Sequence, residues 1–316
     1  METVNIGVDI GGMTIKGGIV DKNGKIRIKK VIKTDSKDAN IFFNSIYKLI
    51  EDLKVDAEKM NLRVKGVGFG VPGVVNTDSL SIDYAPNLNL EHFSLKGISA
   101  LNVEVAVSND ANCATIAEQK FGSGKGFANV VLLTIGTGVG GGVIINNKLF
   151  QGVHGKGTEL GHSIIKIGGR TCGCGRKGCL EAYCSARALV RYAKNEMKRD
   201  KNSIMWSLVD NKINNVNGIV IFDAAKKNDT AALKALDTFI TYLGESVLNY
   251  CNIFRPDAII IGGGISAQKE FLIDKLRKYV VDRNYGFKNT SSVEILAASL
   301  DNDAGIIGAA NLIDYE

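Results

Sequence analysis

Two carboxylates, a histidine and three cysteines fall between Glu159 and Glu181, as Glu-Leu-Gly-His162 and then Cys172-Gly-Cys174-Gly-Arg-Lys-Gly-Cys179-Leu-Glu181. His162 with Cys172, Cys174 and Cys179 supplies one imidazole and three thiolates, the donor set that suits tetrahedral zinc. Gly173, Gly175 and Gly178 let the backbone turn sharply enough for the sulfurs to converge on one ion. A disulfide needs only two of these cysteines and leaves His162 unexplained. Four protein ligands close the coordination shell, so the spacing predicts a structural ion and argues against hydrolysis by a metal-bound water.

Other residues must then carry the chemistry. Gly11 and Gly12, Gly136 to Gly142, and Gly262 to Gly264 form three glycine runs in one chain. Backbone N–H groups in such turns bind phosphate, because no side chain blocks close approach. Thr14, Lys16 and Thr137 add hydroxyl and cationic groups, and Asp9 is placed to hold Mg²⁺ directly or through water. Neither G-x-x-x-x-G-K-[ST] nor a G-x-G-x-x-G opening a helix after the first strand is present, so this is neither a P-loop nor a dinucleotide fold. Ser108-Asn109-Asp110-Ala111-Asn112 follows an apolar run and precedes a helical stretch. Asn and Asp suit a helix cap, and a carboxylate fixed at a strand-to-helix turn also suits proton acceptance from a hydroxyl. Asn87, Glu159 and Glu181 are further polar groups at turns, of the kind that match a sugar's vicinal hydroxyls.

The elements that must position these groups follow an α/β pattern. Ile6 to Asp21 and Val131 to Asn146 align as strand, glycine turn and strand at an offset of 125 residues, with Asp9 on Thr134 and Gly11 on Gly136. Each copy ends in a polar turn, Asp21 to Gly24 or Asn146-Asn147. Two copies in register predict duplicated domains. Apolar spacing predicts helices near 41–53, 111–121, 181–198, 231–253, 268–282 and 303–313, and strands near 64–71, 103–107, 257–261 and 292–297. The expected boundaries are 1–115 plus 300–316 for a smaller domain and 116–299 for a larger one carrying the zinc loop.

Composition narrows the classes. The 316 residues can bury a substantial core. The net charge of +6 is scattered rather than clustered, and no nucleic-acid motif accompanies it. Lys25, Arg27 and Lys29 alternate with Ile26 and Ile28 as on a half-exposed strand. Six cysteines, half of them in the metal cluster, and no N-terminal apolar segment point to a reducing, cytoplasmic compartment. The uncharged stretch 126–147 has the length of a membrane span, but its glycines and β-branched flanks predict two strands around a turn. No membrane segment is expected.

Collectively these residues resemble the ROK family of sugar kinases and sugar-responsive repressors, over essentially the whole chain. The motifs that carry the resemblance are Asp9 to Gly12, Gly70 to Gly73, Pro86 to Leu88, Ser108 to Asn112, Gly136 to Gly140, Glu159 to His162 and Cys172 to Glu181. The resemblance implies a duplicated actin/hexokinase-like, ribonuclease H-like fold of two α/β domains with an interdomain cleft. It implies Asp110 as catalytic base, with Gly73, Asn87, Asn109, Glu159, His162 and Glu181 around a sugar, and zinc on His162, Cys172, Cys174 and Cys179. Asp9, Gly11, Gly12, Thr137, Gly138, Gly263 and Gly264 would then serve ATP and its Mg²⁺. Met13 stands where the family usually has Thr, which Thr14 partly replaces, and Ser108 stands where Glu is frequent.

The implied activity is ATP-dependent phosphorylation of a hexose, with glucose at its 6-hydroxyl first among them, by a homodimer or higher oligomer. The same-class alternative is a kinase for N-acetylmannosamine or another hexosamine. A sugar-responsive repressor is the alternative from another class, but the first strand begins by Val4 and is expected to leave no room for a DNA-reading domain. A non-catalytic sugar sensor is a third.

Overall fold

The computed structural model describes residues 1–286 and 293–315. It opens with strands β1 (Glu2–Ile10), β2 (Thr14–Val20) and β3 (Ile26–Lys33), helix α1 (Ala39–Lys59) and strand β4 (Leu62–Val71). Three short strands follow, β5 (Val74–Asn76), β6 (Ser81–Ala85) and β7 (Leu90–Ser94), and then β8 (Glu104–Asn109) runs into α2 (Asp110–Phe121). Next come β9 (Val130–Ile135), β10 (Val139–Ile145) and β11 (Lys148–Leu149), and helices α3 (Glu181–Cys184), α4 (Ala186–Arg199), α5 (Met205–Leu208), α6 (Gly218–Lys226) and α7 (Thr230–Phe254). The last elements are β12 (Ala258–Gly262), α8 (Glu270–Val280), β13 (Glu294–Ala297) and α9 (Ala304–Asn311).

The strands form sheets of order β3-β2-β1-β4-β8 and β11-β10-β9-β12-β13, with β5-β6-β7 as a third. The two larger sheets repeat one plan, an antiparallel edge leading to parallel strands, as the internal echo predicts. In the first, β1, β4 and β8 are parallel; in the second, β12 and β13 are. The stretch 126–147 supplies β9 and β10, and among the described residues no helix is long and apolar enough to cross a membrane. Asn146 and Asn147 take φ of 52° and 61°, the left-handed pair that a tight hairpin needs.

Most predicted elements stand within a few residues of their expected bounds. The helix expected over 181–198 is instead two, because the Ser185 side chain caps a new start by accepting from the Ala188 N–H. Of the strand expected over 292–297, residue 292 lies outside the described residues. The β5-β6-β7 sheet and α6 answer to no predicted element.

The chain divides into two compact units, Met1–Leu132 with Gly142–Thr158 and Ser299–Glu316, and Leu133–Gly141 with Glu159–Ala298. In the first, glycines set how closely helices approach the sheet. Gly17 of β2 leaves room for Leu49 and Leu53 of α1, whereas Gly7, Gly18 and Gly68 receive α9 on the opposite face. A Cβ on Gly7 would stand 1.9 Å from the Ile306 carbonyl, one on Gly68 1.8 Å from that of Ala309, and one on Gly308 1.7 Å from that of Cys113 in α2. Backbone therefore rests directly on backbone, with no side chain between.

Glu118 ties the far end of α2 to the loop before α9. Its carboxylate is fully buried and accepts from the backbone N–H groups of Ser123 (2.9 Å), Ser299 (2.9 Å) and Leu300 (2.8 Å) and from both serine hydroxyls. Glu118→Ala leaves those donors buried without an acceptor and is expected to lower unfolding free energy by about 3 kcal/mol or more. Denaturant titration measures this, and a loss below about 1 kcal/mol would show that water replaces the carboxylate.

Candidate functional site

Within the first unit the candidate residues collect at the carboxyl ends of the parallel strands. Asp9 of β1 lies opposite Gly70 of β4, which lies opposite Ser108 of β8. One residue beyond β8, Asp110 begins α2 and is exposed. Asn109 fixes this junction from both ends of its amide: the oxygen accepts from the Ala111 N–H at 2.8 Å, and the nitrogen donates to the Gly73 carbonyl at 2.9 Å. Asp110 Oδ1 also accepts from the Ala111 N–H, at 2.9 Å.

Gly73 has φ of 108°, and a Cβ there would stand 2.3 Å from the Tyr84 carbonyl. Gly73→Ala should therefore push away the end of β6 and misplace the Asn109 anchor, at a cost of about 1–3 kcal/mol. A thermal melt reads the effect; an unchanged melting temperature would refute this packing.

The first glycine turn is held by Thr34, whose hydroxyl donates to the Gly11 carbonyl at 2.7 Å and whose N–H donates to that of Met13 at 3.0 Å. Gly12, Met13 and Thr14 remain exposed, so a phosphate can approach the backbone. Lys16, directly across from Asp9, makes an ion pair with it at 3.1 Å. The lysine is thus already matched by a carboxylate, which the sequence pattern does not convey. Asp9 also packs over Gly305 in the first turn of α9, where a Cβ would stand 2.7 Å from its carboxyl carbon. Asn87 is exposed on the short turn Pro86–Leu88, and its carbonyl lies 3.5 Å from where Gly12 would carry a Cβ.

The second unit gathers the remaining candidates. The turn Gly136–Gly138 closes with a Gly136 N–H to Gly138 carbonyl bond at 3.0 Å, leaving Thr137 exposed. Gly263, at φ of 80°, lies so close to Ile135 that a Cβ would stand 2.5 Å from its carbonyl, whereas Gly264 faces open space. Two of the three glycine turns therefore share one strand end.

His162 Nδ1 lies 3.6 Å from Cys172 Sγ, and Cys174 Sγ lies 3.6 Å from Cys179 Sγ. All four donor atoms fall within 4.8 Å of one another. Two thiolates at about 2.3 Å from one zinc ion stand roughly 3.8 Å apart across a tetrahedron, so these spacings fit a single ion. Gly175 and Gly178, at φ of 87° and 94°, make the turns that bring the sulfurs together. Burial raises the Cys172 and Cys179 thiols, so a cation is what would hold them as thiolates.

Glu181 joins the metal loop to the glycine turn. Its Oε2 accepts from the Val139 N–H at 3.1 Å, and its Oε1 lies 3.4 Å from Cys172 Sγ. A Cβ on Gly138 would stand 2.4 Å from Glu181 Oε2, so a side chain there would push the carboxylate aside. Glu159 is exposed, yet the protein atoms crowding it raise its carboxyl above the ordinary value, with Glu181 adding to the rise and His162 opposing it.

The supports around the site are less legible in the sequence. Thr34 has no pattern of its own. Asn112, fully buried, donates to Ser108 Oγ at 3.2 Å and accepts from Thr158 Oγ1 at 3.2 Å, so Thr158, next before Glu159, is tied to the turn that carries Asp110. Only the position of Asn112 two residues after Asp110 could have marked it.

A model of the ROK family matches residues 5–316. A glucokinase of Streptomyces coelicolor is 36% identical over 313 residues, covering 98% of this chain and 97% of that protein. The structure of a ROK family glucokinase from Streptomyces griseus in complex with glucose and AMPPNP matches with a TM-score of 0.82 at 35% identity, each chain covered to 98%. A xylose repressor of Bacillus subtilis is 30% identical over 311 residues, covering 98% of this chain and 76% of that protein. With its glycine hairpins, its strand-end aspartates and its Cys/His loop, the chain belongs to the ROK family.

Proposed function

We propose that this chain is an ATP-dependent hexose kinase, transferring the γ-phosphoryl group to the 6-hydroxyl of glucose. The observation that carries the reading is Asp110 at the first residue of α2, its turn held by the Asn109 amide and exposed to solvent. A repressor of the same fold has no need of a proton acceptor there. In this reading Asp110 accepts the hydroxyl proton as the sugar oxygen bonds to phosphorus and the bond to ADP breaks.

The glycine turns at Gly11-Gly12, Thr137-Gly138 and Gly263-Gly264 offer backbone donors to the phosphates. Thr14 and Lys16 add polar contacts, and Asp9 would hold Mg²⁺, which supplies positive charge to the transferring group. Gly73, Asn87, Asn109, Glu159, His162 and Glu181 would surround the sugar. His162, Cys172, Cys174 and Cys179 would hold zinc, which when bound fixes the loop between Glu159 and Glu181 and leaves His162 Nε2 for a sugar hydroxyl. The reading also assigns the protein to the cytoplasm as a homodimer or higher oligomer.

Turnover with ATP and a sugar panel tests the proposal. Glucose is expected to give the highest kcat/KM, ahead of mannose and glucosamine, because the carboxylates and His162 suit hydroxyls and an acetamido group would leave some of them unpaired. Equimolar glucose and N-acetylmannosamine in one tube decide between the two kinase readings: faster loss of N-acetylmannosamine overturns glucose while leaving the kinase. No turnover with any sugar would favour a sensor.

A further inference from the structure

Two arginines of the second unit stand together without a carboxylate. The Arg170 guanidinium lies between two aromatic rings, its carbon 5.0 Å from the ring centroids of both Tyr183 and Tyr192, and the Arg191 guanidinium lies 5.8 Å from the Tyr192 centroid. Neither makes an ion pair with any described residue, whereas Arg277, similarly half-buried, pairs with Glu270 and Asp274. Each also keeps one enclosed nitrogen, Arg170 Nη1 and Arg191 Nε, with no hydrogen-bond partner. Burial, with Arg170 adding to it, lowers the Arg191 pKa, as expected of a cation held beside another.

The framework is rigid. The Arg170 N–H donates to the Tyr183 hydroxyl at 2.7 Å, the Tyr192 hydroxyl donates to the Tyr183 carbonyl at 3.1 Å, and Arg191 Nη2 donates to the Ala182 carbonyl at 2.5 Å. The two rings confine the Arg170 guanidinium without supplying a counter-charge. Two fixed positive charges with unmet donors match a dianion that offers several acceptor oxygens.

We propose that Arg170 and Arg191 form a binding site for a phosphate dianion, either inorganic phosphate or a phosphomonoester. A carboxylate would neutralise only one of the two charges. The site differs from the glycine turns and does not depend on the kinase reading, since no candidate catalytic residue takes part. It adjoins the metal loop, because the Gly178 N–H donates to the Arg170 carbonyl at 2.8 Å. Occupancy therefore braces the loop that holds Cys172 and Cys179 against α4.

The test uses the zinc-loaded protein with a saturating non-hydrolysable ATP analogue, which blocks phosphate from the nucleotide site. The Nε–H resonance of Arg191, assigned by its disappearance in Arg191→Lys, is followed by ¹⁵N NMR during titration with inorganic phosphate. It is expected to move saturably with phosphate and to stay in place with sodium chloride of equal ionic strength. By calorimetry, Arg191→Met should weaken the binding about tenfold or more. A parallel titration with glucose 6-phosphate distinguishes the sources: tighter binding assigns a phosphomonoester, and equal or weaker binding assigns inorganic phosphate. An Nε–H signal unmoved by both ligands, or undiminished binding in Arg191→Met, overturns the proposal.

Discussion

Asp110→Asn is expected to lower kcat with glucose by about 10²-fold or more, the usual contribution of a positioned general base, while the sugar KM changes by less than about threefold. The substitution tests proton transfer with little else altered. Asparagine has nearly the same shape, and its oxygen can still accept from the Ala111 N–H as Asp110 Oδ1 does. The helix start also survives, because the cap is Asn109 and not Asp110. What the amide cannot do is accept the hydroxyl proton. Steady-state kinetics with glucose and ATP, alongside a thermal melt, separate the two cases. A variant that turns over within about threefold of the parent removes Asp110 as the base.

If the loop holds zinc as proposed, Cys174→Ser is expected to lose that ion and to raise the sugar KM at least about tenfold, with the ATP KM nearly unchanged. Cys174 is the exposed member of the cluster, so its loss opens the ion to solvent without disturbing the core. Once the ion leaves, His162 is no longer fixed and Glu181 loses the neighbour that its Oε1 faces across Cys172. The parent should contain about one zinc per chain by elemental analysis, as a single tetrahedral site requires. Parent protein that is active with less than about half an equivalent would refute the structural ion. Equal rises in both KM values would instead place the ion's influence on the glycine turn, through the bond from Val139 to Glu181.

Local rules made the chemistry-bearing segments legible. Glycine turns and closely spaced ligands act over a few residues, so the pairing of β1 with β2 and the convergence of His162 with Cys172, Cys174 and Cys179 follow from spacing alone. What stayed hidden depends on residues far apart in the chain. The ion pair of Lys16 with Asp9 comes from strand register, which a sequence does not print. Asn109 reads as a cap, but its second bond reaches Gly73, 36 residues away. The sheet of β5, β6 and β7 escaped because its strands are only three to five residues long, too short for alternation to rise above the polar turns between them. Segment 142–158 groups with the first unit by contacts that span the chain, such as His154 Nδ1 with Asp78 at 2.6 Å and Lys156 with Asp83 at 2.7 Å.

The seating of α9 on the glycines of β1 and β4 has a consequence for how the protein is made. A ribosome delivers the chain from its amino end, and domains generally fold as their residues emerge. Here all of the second unit precedes α9 in synthesis, whereas β1, β4 and α2 are made long before it. Until Ala304–Asn311 emerges, Gly7 and Gly68 line an open furrow and the Cys113 face of α2 has no partner. The second unit is thus fully synthesised before the first, whose last helix is the one that rests on α2. A chain ending at residue 298 would carry all of the second unit and a first unit that lacks α9.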